Sequence, residues 1–270
     1  MTGATEQPTA GQPAGGAWFG RGRDGGDQDG EAPTVLYCFA HAGGGGSFFQ
    51  PWRELLEPGV EVRPVVLPGR ETRISEPPVT SVTELVEPVA RAIEADVAGR
   101  AGDYAVFGHS MGSVVAYEVT RRLEAGPGPD PTCLFVSGRR APHLPARHEP
   151  LHVMPDEAFL DAVVQLNGTP DELLEHDDLI RLLLPTMRAD FTVSETYREQ
   201  PGGRLRCPVA ALTGDADPQA DLEEMAGWRV TTTGAFTLRV FRGDHFYLIP
   251  AMSDVVAAVR ATLQRLAAAA

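Results

Sequence analysis

The sequence predicts an α/β fold with a mostly parallel central sheet flanked by helices. Short, continuous apolar runs recur along the chain, as expected of strands that are buried on both faces. In the first half of the chain, segments with apolar residues at helical spacing separate these runs. Such alternation joins parallel strands through right-handed crossovers. With 270 residues, 43% of them hydrophobic, the chain can build one large domain of this kind.

Residues 1–32 precede the predicted domain, which we place at 33–270. They are rich in Gly, Pro, Gln, Asp and Thr, and they cannot bury enough apolar surface to offset the entropy cost of ordering. We therefore predict a disordered leader. We interpret the apolar pair Trp18-Phe19 as a chance pair in this tail rather than as a docking element.

Strands and helices alternate regularly up to residue 137. Ser81 is a predicted helix N-cap, Pro64 weakens the second strand, and Pro88 interrupts the helix that follows. The predicted elements are a strand at 34–40, a short helix at 48–56, a strand at 61–67, a helix at 81–98, a strand from 104, a helix from about 114 and a strand at 133–137.

The alternation breaks after residue 137. Residues 138–203 show no convincing strand but contain two helical patterns, one after Pro155 and one at 179–197. We interpret about 140–203 as a helical lid inserted over the functional site, with an ordinary pair of crossover helices as the alternative. The predicted elements beyond it are strands at 207–213 and 236–241, a helix between them that contains Trp228, and a terminal helix capped by Ser253.

The composition excludes several classes of function. A net charge of −14 argues against non-specific nucleic-acid binding. All 23 basic residues are arginine, so lysine Schiff-base chemistry and a Walker A loop are excluded. No apolar run approaches the ~18 residues of a membrane span, and no signal peptide is evident. Cys38, Cys133 and Cys207 are too far apart for a metal motif, so we expect buried free thiols, no metal and a cytoplasmic location.

Gly108-His109-Ser110-Met111-Gly112 lies between a predicted strand and a helix. This is the context of a G-x-S-x-G nucleophile elbow, in which a sharp turn exposes the serine hydroxyl. The motif alone is a weak signal, because a chain with 29 glycines gives roughly 0.1 chance matches. A glycine-rich turn that merely holds a serine is the alternative. Ser110 is therefore a candidate nucleophile that needs partners elsewhere in the chain.

Candidate partners follow the last two predicted strands. Because the carboxyl ends of parallel strands meet at one edge of a sheet, His245 and Asp217 are expected to lie close to Ser110. Imidazole can accept the serine proton, and a carboxylate can orient the imidazole. The order Ser110, Asp217, His245 is that of the α/β-hydrolase triad. Asp215 competes with Asp217, which we prefer because it lies further past the strand end.

The loop after the first strand, His41 to Phe49, is rich in glycine. It lacks the G-x-G-x-x-G spacing of a dinucleotide site, so we assign it to oxyanion binding. The predicted donors are the backbone N–H groups of Ala42 and Met111, with Gly43 as the alternative to Ala42. His41 is expected to order this loop rather than act as base. His109 is expected to point away from the serine.

Six short blocks, in order, resemble the type II thioesterases of polyketide and non-ribosomal peptide assembly lines, which have the α/β-hydrolase fold. The resemblance covers about residues 34–265. It implies that Ser110, Asp217 and His245 form the triad, with Ala42 and Met111 as oxyanion donors, and that acyl groups are hydrolysed from the 4′-phosphopantetheine arm of a carrier protein. The blocks are CFAHAGGGGSFF (38–49), LPGRETR (67–73), GHSMGS (108–113), SGRRAP (137–142), TGDADP (213–218) and GDHFYL (243–248).

The expected partners are acyl or peptidyl carrier domains, met by a monomeric enzyme that needs no bound cofactor. Carrier proteins are acidic, and so is this chain. We therefore hypothesise docking on local arginines near the entrance, such as Arg70, Arg73, Arg139 and Arg140, with an ordinary mixed-charge surface as the alternative. A general esterase or lipase with the same triad is the alternative enzyme, and a non-catalytic binding protein of the same fold is the alternative outside enzymes.

Overall fold

The computed structural model describes residues 18–19, 32–166 and 177–269. Six strands form one sheet in the order β2-β1-β3-β4-β5-β6, and each neighbouring pair is parallel. The predicted parallel α/β architecture is confirmed. The strands are β1 (Thr34–Phe39), β2 (Val60–Pro64), β3 (Tyr104–His109), β4 (Leu134–Ser137), β5 (Val209–Gly214) and β6 (Phe236–Phe241).

Helices cover both faces of the sheet, because successive side chains of a strand point to opposite sides. Val35 and Tyr37 of β1 pack in one core, and Leu36 and Cys38 pack in the other. The α-helices of the described residues are α1 (Gln50–Leu56), α2 (Val82–Ala98), α3 (Met111–Glu124), α4 (Asp156–Gln165), α5 (Asp177–Thr196), α6 (Leu222–Ala226) and α7 (Met252–Ala267). The first core contains buried residues of α2, α3 and α6, and the second contains those of α1 and α7.

Two local predictions about helix starts have opposite outcomes. Ser81 is the N-cap of α2, where its hydroxyl accepts a hydrogen bond from the Thr83 N–H at 3.2 Å. The prediction for Ser253 is wrong, because α7 begins at Met252 and its N-cap is Ala251, two residues before Ser253. The Ala251 N–H already donates to the Tyr247 carbonyl at 2.9 Å. The chain thus enters α7 from a preceding turn and does not need a side-chain cap.

Trp18 and Phe19 pack on the domain, and our interpretation of them as a chance pair is wrong. Trp18 is 6% exposed, and the Arg73 guanidinium lies 3.9 Å from the centroid of its ring. Phe19 forms an antiparallel bridge with Val65, and the Val66 N–H donates to the Trp18 carbonyl at 2.8 Å. This contact lies immediately past the end of β2, the first strand in the sheet order. The rest of the predicted leader, 1–17 and 20–31, lies outside the described residues.

In the described part of the segment between β4 and β5 there are two α-helices, α4 and α5, and no strand. Phe159, Val163 and Met187 form a small core between them, separate from the two cores of the sheet. The predicted helical insertion therefore contains its own apolar contacts. Residues 167–176 of this segment lie outside the described residues. None of the described helices is long and apolar enough to span a membrane.

Replacing Trp18 with alanine is expected to lower the free energy of unfolding by about 2–4 kcal/mol, because a buried aromatic side chain and its stacking on Arg73 are lost. Urea titration of wild type and Trp18→Ala measures the change. Trp18→Phe, which keeps an aromatic ring, is the matched control and should lose less. Equal stability of wild type and Trp18→Ala would show that this contact does not contribute to the fold.

Candidate active site

Ser110 occupies a strained turn between β3 and α3. Its backbone has φ 53° and ψ −117°, a region that non-glycine residues rarely adopt. The Ser110 N–H donates to the Ser137 carbonyl of β4 at 2.8 Å, which ties the turn to the sheet. Strain that the surrounding structure holds in place is typical of functional positions. The geometry is that of the predicted nucleophile elbow.

The two glycines of the motif are needed because backbone segments come into close contact there. A Cβ on Gly108 would lie 2.2 Å from the Gly112 carbonyl oxygen. A Cβ on Gly112 would lie 2.3 Å from the carbonyl oxygen of Phe39, the last residue of β1. The start of α3 is thus pressed against the end of β1. Met111, the first residue of α3, is thereby brought next to the loop that follows β1.

Ser110, His245 and Asp217 form a continuous hydrogen-bonded relay. His245 Nε2 lies 3.0 Å from Ser110 Oγ, and His245 Nδ1 lies 3.0 and 3.1 Å from the two carboxylate oxygens of Asp217. An ionised carboxylate only accepts hydrogen bonds, so Nδ1 carries the proton and Nε2 is free to accept the serine proton. The Asp217 side chain is 0% exposed, and it also accepts the Gln219 N–H at 2.8 Å.

The neighbouring acids have other partners. Asp215 is exposed, and its carboxylate accepts the Gly243 N–H at 2.9 Å. It therefore joins the turn after β5 to the turn after β6 and does not contact the imidazole. Asp244 accepts the N–H of Phe246 two residues on, at 2.9 Å. Of the two acids that sequence reasoning left open, the structure brings Asp217 to His245.

Two further imidazoles surround His245. The ring centroid of His109 lies 5.0 Å from that of His245 and 5.9 Å from that of His41. His109 Nδ1 bonds Ser137 Oγ at 2.9 Å, so its ring is held by β4 and not by Ser110. Burial, reinforced by His245 and Arg70, lowers the pKa of His41 to about 3. Burial and the neighbouring histidines also lower the pKa of His109, so both rings are neutral beside His245.

The loop after β1 begins with a tight turn. The Gly44 N–H donates to the His41 carbonyl at 3.0 Å, and Gly43 has φ 79°, as the third residue of a type II turn requires. The Gly43 N–H donates to the carboxylate of Asp190, on α5, at 2.7 Å. The alternative oxyanion donor is therefore engaged elsewhere. Between Ala42 and Gly43, this contact favours Ala42.

The docking surface that we predicted from four arginines is wrong. Arg70 and Arg73 are only 8% and 4% exposed. Arg139 donates two hydrogen bonds of 2.9 Å to a residue of α5, and Arg140 lies 3.8 Å from the carboxylate of Glu224. These guanidinium groups hold parts of the chain together and do not form a free cationic surface. Charge alone, read from the sequence, did not distinguish buried from exposed arginines.

Comparisons with known proteins identify similar sequences and similar structures. A family model described as "Thioesterase domain" matches residues 34–263. The chain is 47% identical over 213 residues to Thioesterase PikA5 of Streptomyces venezuelae, covering 79% of this chain and 75% of that protein. A RedJ-thioesterase structure from the prodiginine pathway of Streptomyces coelicolor matches with TM-score 0.79 and 36% identity, over 96% of this chain and 91% of its own. The structure of the type II thioesterase BorB, from the borrelidin biosynthetic cluster, matches with TM-score 0.80 and 34% identity. The match covers 90% of this chain and 96% of BorB.

The buried, neutral His41 predicts a specific dependence of stability on pH. Its pKa in the folded state, about 3, lies below the ~6.5 of an unfolded chain, so only the unfolded state gains this proton as the pH falls between these values. Stability is therefore lost as the pH falls from about 6.5 towards the folded pKa, by up to ~1.4 kcal/mol per pH unit. Urea titrations from pH 7 to pH 4 should show a shallower decline for His41→Phe than for wild type. Parallel declines would contradict a neutral His41.

Proposed function

The chain belongs to the thioesterase family, and from this premise we propose that it hydrolyses acyl thioesters carried on the 4′-phosphopantetheine arm of acyl or peptidyl carrier proteins. Its relatives include type II thioesterases, one from a borrelidin biosynthetic cluster and one from a yersiniabactin NRPS/PKS pathway, and its own activity is of that type. The observation that carries the proposal is the relay of 3.0–3.1 Å contacts from Ser110 through His245 to Asp217.

The first half of the reaction forms an acyl-serine. Ser110 Oγ attacks the thioester carbonyl while His245 Nε2, 3.0 Å away, takes its proton. Asp217 holds the imidazole in the tautomer that this transfer needs and stabilises the imidazolium that results. His245 then gives the proton to the departing pantetheine sulfur. Because His41 and His109 are neutral, they do not oppose the transient positive charge on His245.

The second half releases the acid. His245 removes a proton from water, which attacks the acyl-serine, and then returns a proton to Ser110 Oγ. In both halves the N–H groups of Ala42 and Met111 stabilise the oxyanion. A donor of this kind is worth about 3 kcal/mol of transition-state stabilisation. Met111 is suited to this role because it opens α3, where N–H groups have no intrahelical partner.

The relatives favour carrier-bound thioesters over ordinary esters. One is named a type II thioesterase from a borrelidin cluster and another a thioesterase from a prodiginine pathway. The esterases and lipases that carry HGGG in this loop differ from this chain, in which Ala42 follows His41. We place the enzyme in the cytoplasm, where its three buried free thiols would stay reduced.

Single-turnover hydrolysis of acyl groups loaded on a carrier protein tests this function. We expect wild type to release the acid from the carrier faster than from a matched oxygen ester. Ser110→Ala should lower the rate by about 10⁶-fold. Mass spectrometry should find a fluorophosphonate adduct on Ser110. A faster reaction with the oxygen ester would favour the general esterase, and an unlabelled Ser110 would favour a binding protein.

Asp217→Asn is expected to lower kcat by about 10⁴-fold, because an amide does not hold the productive imidazole tautomer. Asp215→Asn is the matched control, since Asp215 contacts the Gly243 N–H and not the imidazole. An asparagine there keeps an acceptor oxygen, so we expect activity within about twofold of wild type. Steady-state kinetics on one acyl substrate measure both variants. A larger loss in Asp215→Asn would reassign the triad acid.

A further inference from the structure

We infer that Asp190 and Arg70 are positioning residues that hold the oxyanion loop in its working shape. The inference rests on the proposed function, because it assigns Ala42 as an oxyanion donor. Asp190 lies on α5, and Arg70 lies in the loop after β2, so neither belongs to the segment that they would order. Neither touches the reacting atoms in the scheme above. Their effect would act through the backbone of residues 41–44.

Asp190 and Arg70 form a buried, bidentate ion pair. Arg70 donates to the two carboxylate oxygens of Asp190 at 2.6 and 2.8 Å. Asp190 is 2% exposed and Arg70 is 8% exposed. Bidentate pairs of this kind fix geometry as well as supply energy. With little solvent to screen it, the pair is held in one arrangement.

The same pair also binds two backbone groups of the oxyanion loop, which lie on either side of the peptide bond between Gly43 and Gly44. The Asp190 carboxylate accepts the Gly43 N–H at 2.7 Å, and the Arg70 guanidinium donates to the Gly44 carbonyl at 2.7 Å. One carboxylate oxygen, Oδ2, receives both the Gly43 N–H and an Arg70 N–H. The loop and the pair therefore share one hydrogen-bond network.

Fixing Gly43 and Gly44 also fixes the direction of the Ala42 N–H. The Gly44 N–H bonds the His41 carbonyl at 3.0 Å. In a trans peptide the carbonyl and the next N–H point in opposite directions, so the Ala42 N–H faces away from this turn contact. If Gly43 and Gly44 moved, the His41 carbonyl would lose its Gly44 N–H partner, and the peptide unit that carries the Ala42 N–H would be free to rotate. The network therefore constrains the one group of this loop that we assign to the oxyanion.

Anchoring of α5 alone does not account for these contacts. One turn further along the same helix, Ser194 accepts two hydrogen bonds of 2.9 Å from Arg139, through its hydroxyl and its carbonyl. That contact fastens α5 to the segment after β4 and does not touch the oxyanion loop. Ser194 therefore provides a control that weakens the attachment of the helix but leaves residues 41–44 in place.

The test compares Asp190→Ala, Asp190→Asn, Arg70→Met and Ser194→Ala. Activity is measured as kcat and KM for p-nitrophenyl butyrate and as the rate of Ser110 phosphonylation by a fluorophosphonate. Neither readout needs a carrier thioester, so a failure of the carrier-substrate proposal is distinguishable from a failure of this one. Urea titration identifies variants that are folded under assay conditions, and Asp190→Asn provides a near-isosteric variant if the alanine variant is unstable.

We expect Asp190→Ala and Arg70→Met to lower kcat and the phosphonylation rate about 10- to 100-fold. Deleting an oxyanion donor lowers kcat about 10²- to 10³-fold, and we expect a smaller loss here because the Ala42 N–H is misplaced rather than absent. KM should change little. Asp190→Asn should retain more activity than Asp190→Ala, because its amide oxygen can still accept the Gly43 N–H.

The double variant Arg70→Met/Asp190→Ala should be no slower than the worse single variant, since both act through one network. Ser194→Ala should remain close to wild type. Wild-type rates in folded Asp190→Ala would overturn the inference. An equal loss in Ser194→Ala, or a change confined to KM, would also overturn it and assign Asp190 to helix anchoring.

Discussion

The close contact between the first turn of α3 and the end of β1 is the constraint on which the site depends. A methyl group at residue 112 would lie 2.3 Å from the Phe39 carbonyl, and one at residue 108 would lie 2.2 Å from the Gly112 carbonyl. Because residues 108 and 112 are glycines, the backbone segments can come this close and the chain can turn sharply. Ser110 lies in that turn, in its strained conformation, at the carboxyl edge of the sheet. The same contact brings the start of α3 beside the loop after β1. The nucleophile and both proposed oxyanion donors thus depend on a single backbone approach.

Near this contact, the carboxylate of the relay is both buried and hydrogen-bonded. The Asp217 carboxylate is shielded from solvent yet accepts hydrogen bonds from His245 and Gln219. His245 and Asp217 lie near each other because each follows a strand of the sheet, and the carboxyl ends of parallel strands lie at the same edge. In a poorly solvated pocket, fixed dipoles act more strongly on developing charge than they do in water. Burial and geometry therefore act together on the relay.

The sequence predicted the parts of the molecule that depend on local pattern. The strand order along the chain, the elbow and the relay of Ser110, Asp217 and His245 follow from periodicity, turn residues and the shared carboxyl edge. The roles of Trp18 and Asp190 depend on contacts between residues 48 and 147 positions apart along the chain, namely Trp18 with Val66 and Asp190 with Gly43. Nothing near either residue in sequence signals its partner. The four arginines show the same limit, because the sequence does not distinguish a guanidinium held by protein groups from one in solvent.

The three cysteines have a consequence for a protein that handles activated acyl groups. Thioesters exchange readily with any accessible thiolate. Cys38, Cys133 and Cys207 are all buried and unbridged, and burial raises the pKa of each, that of Cys133 to about 12. They are thus shielded and protonated, and they cannot capture an acyl group by exchange. An activated acyl group on this protein therefore reacts with an alcohol and not with a thiol, and water can hydrolyse the ester that forms.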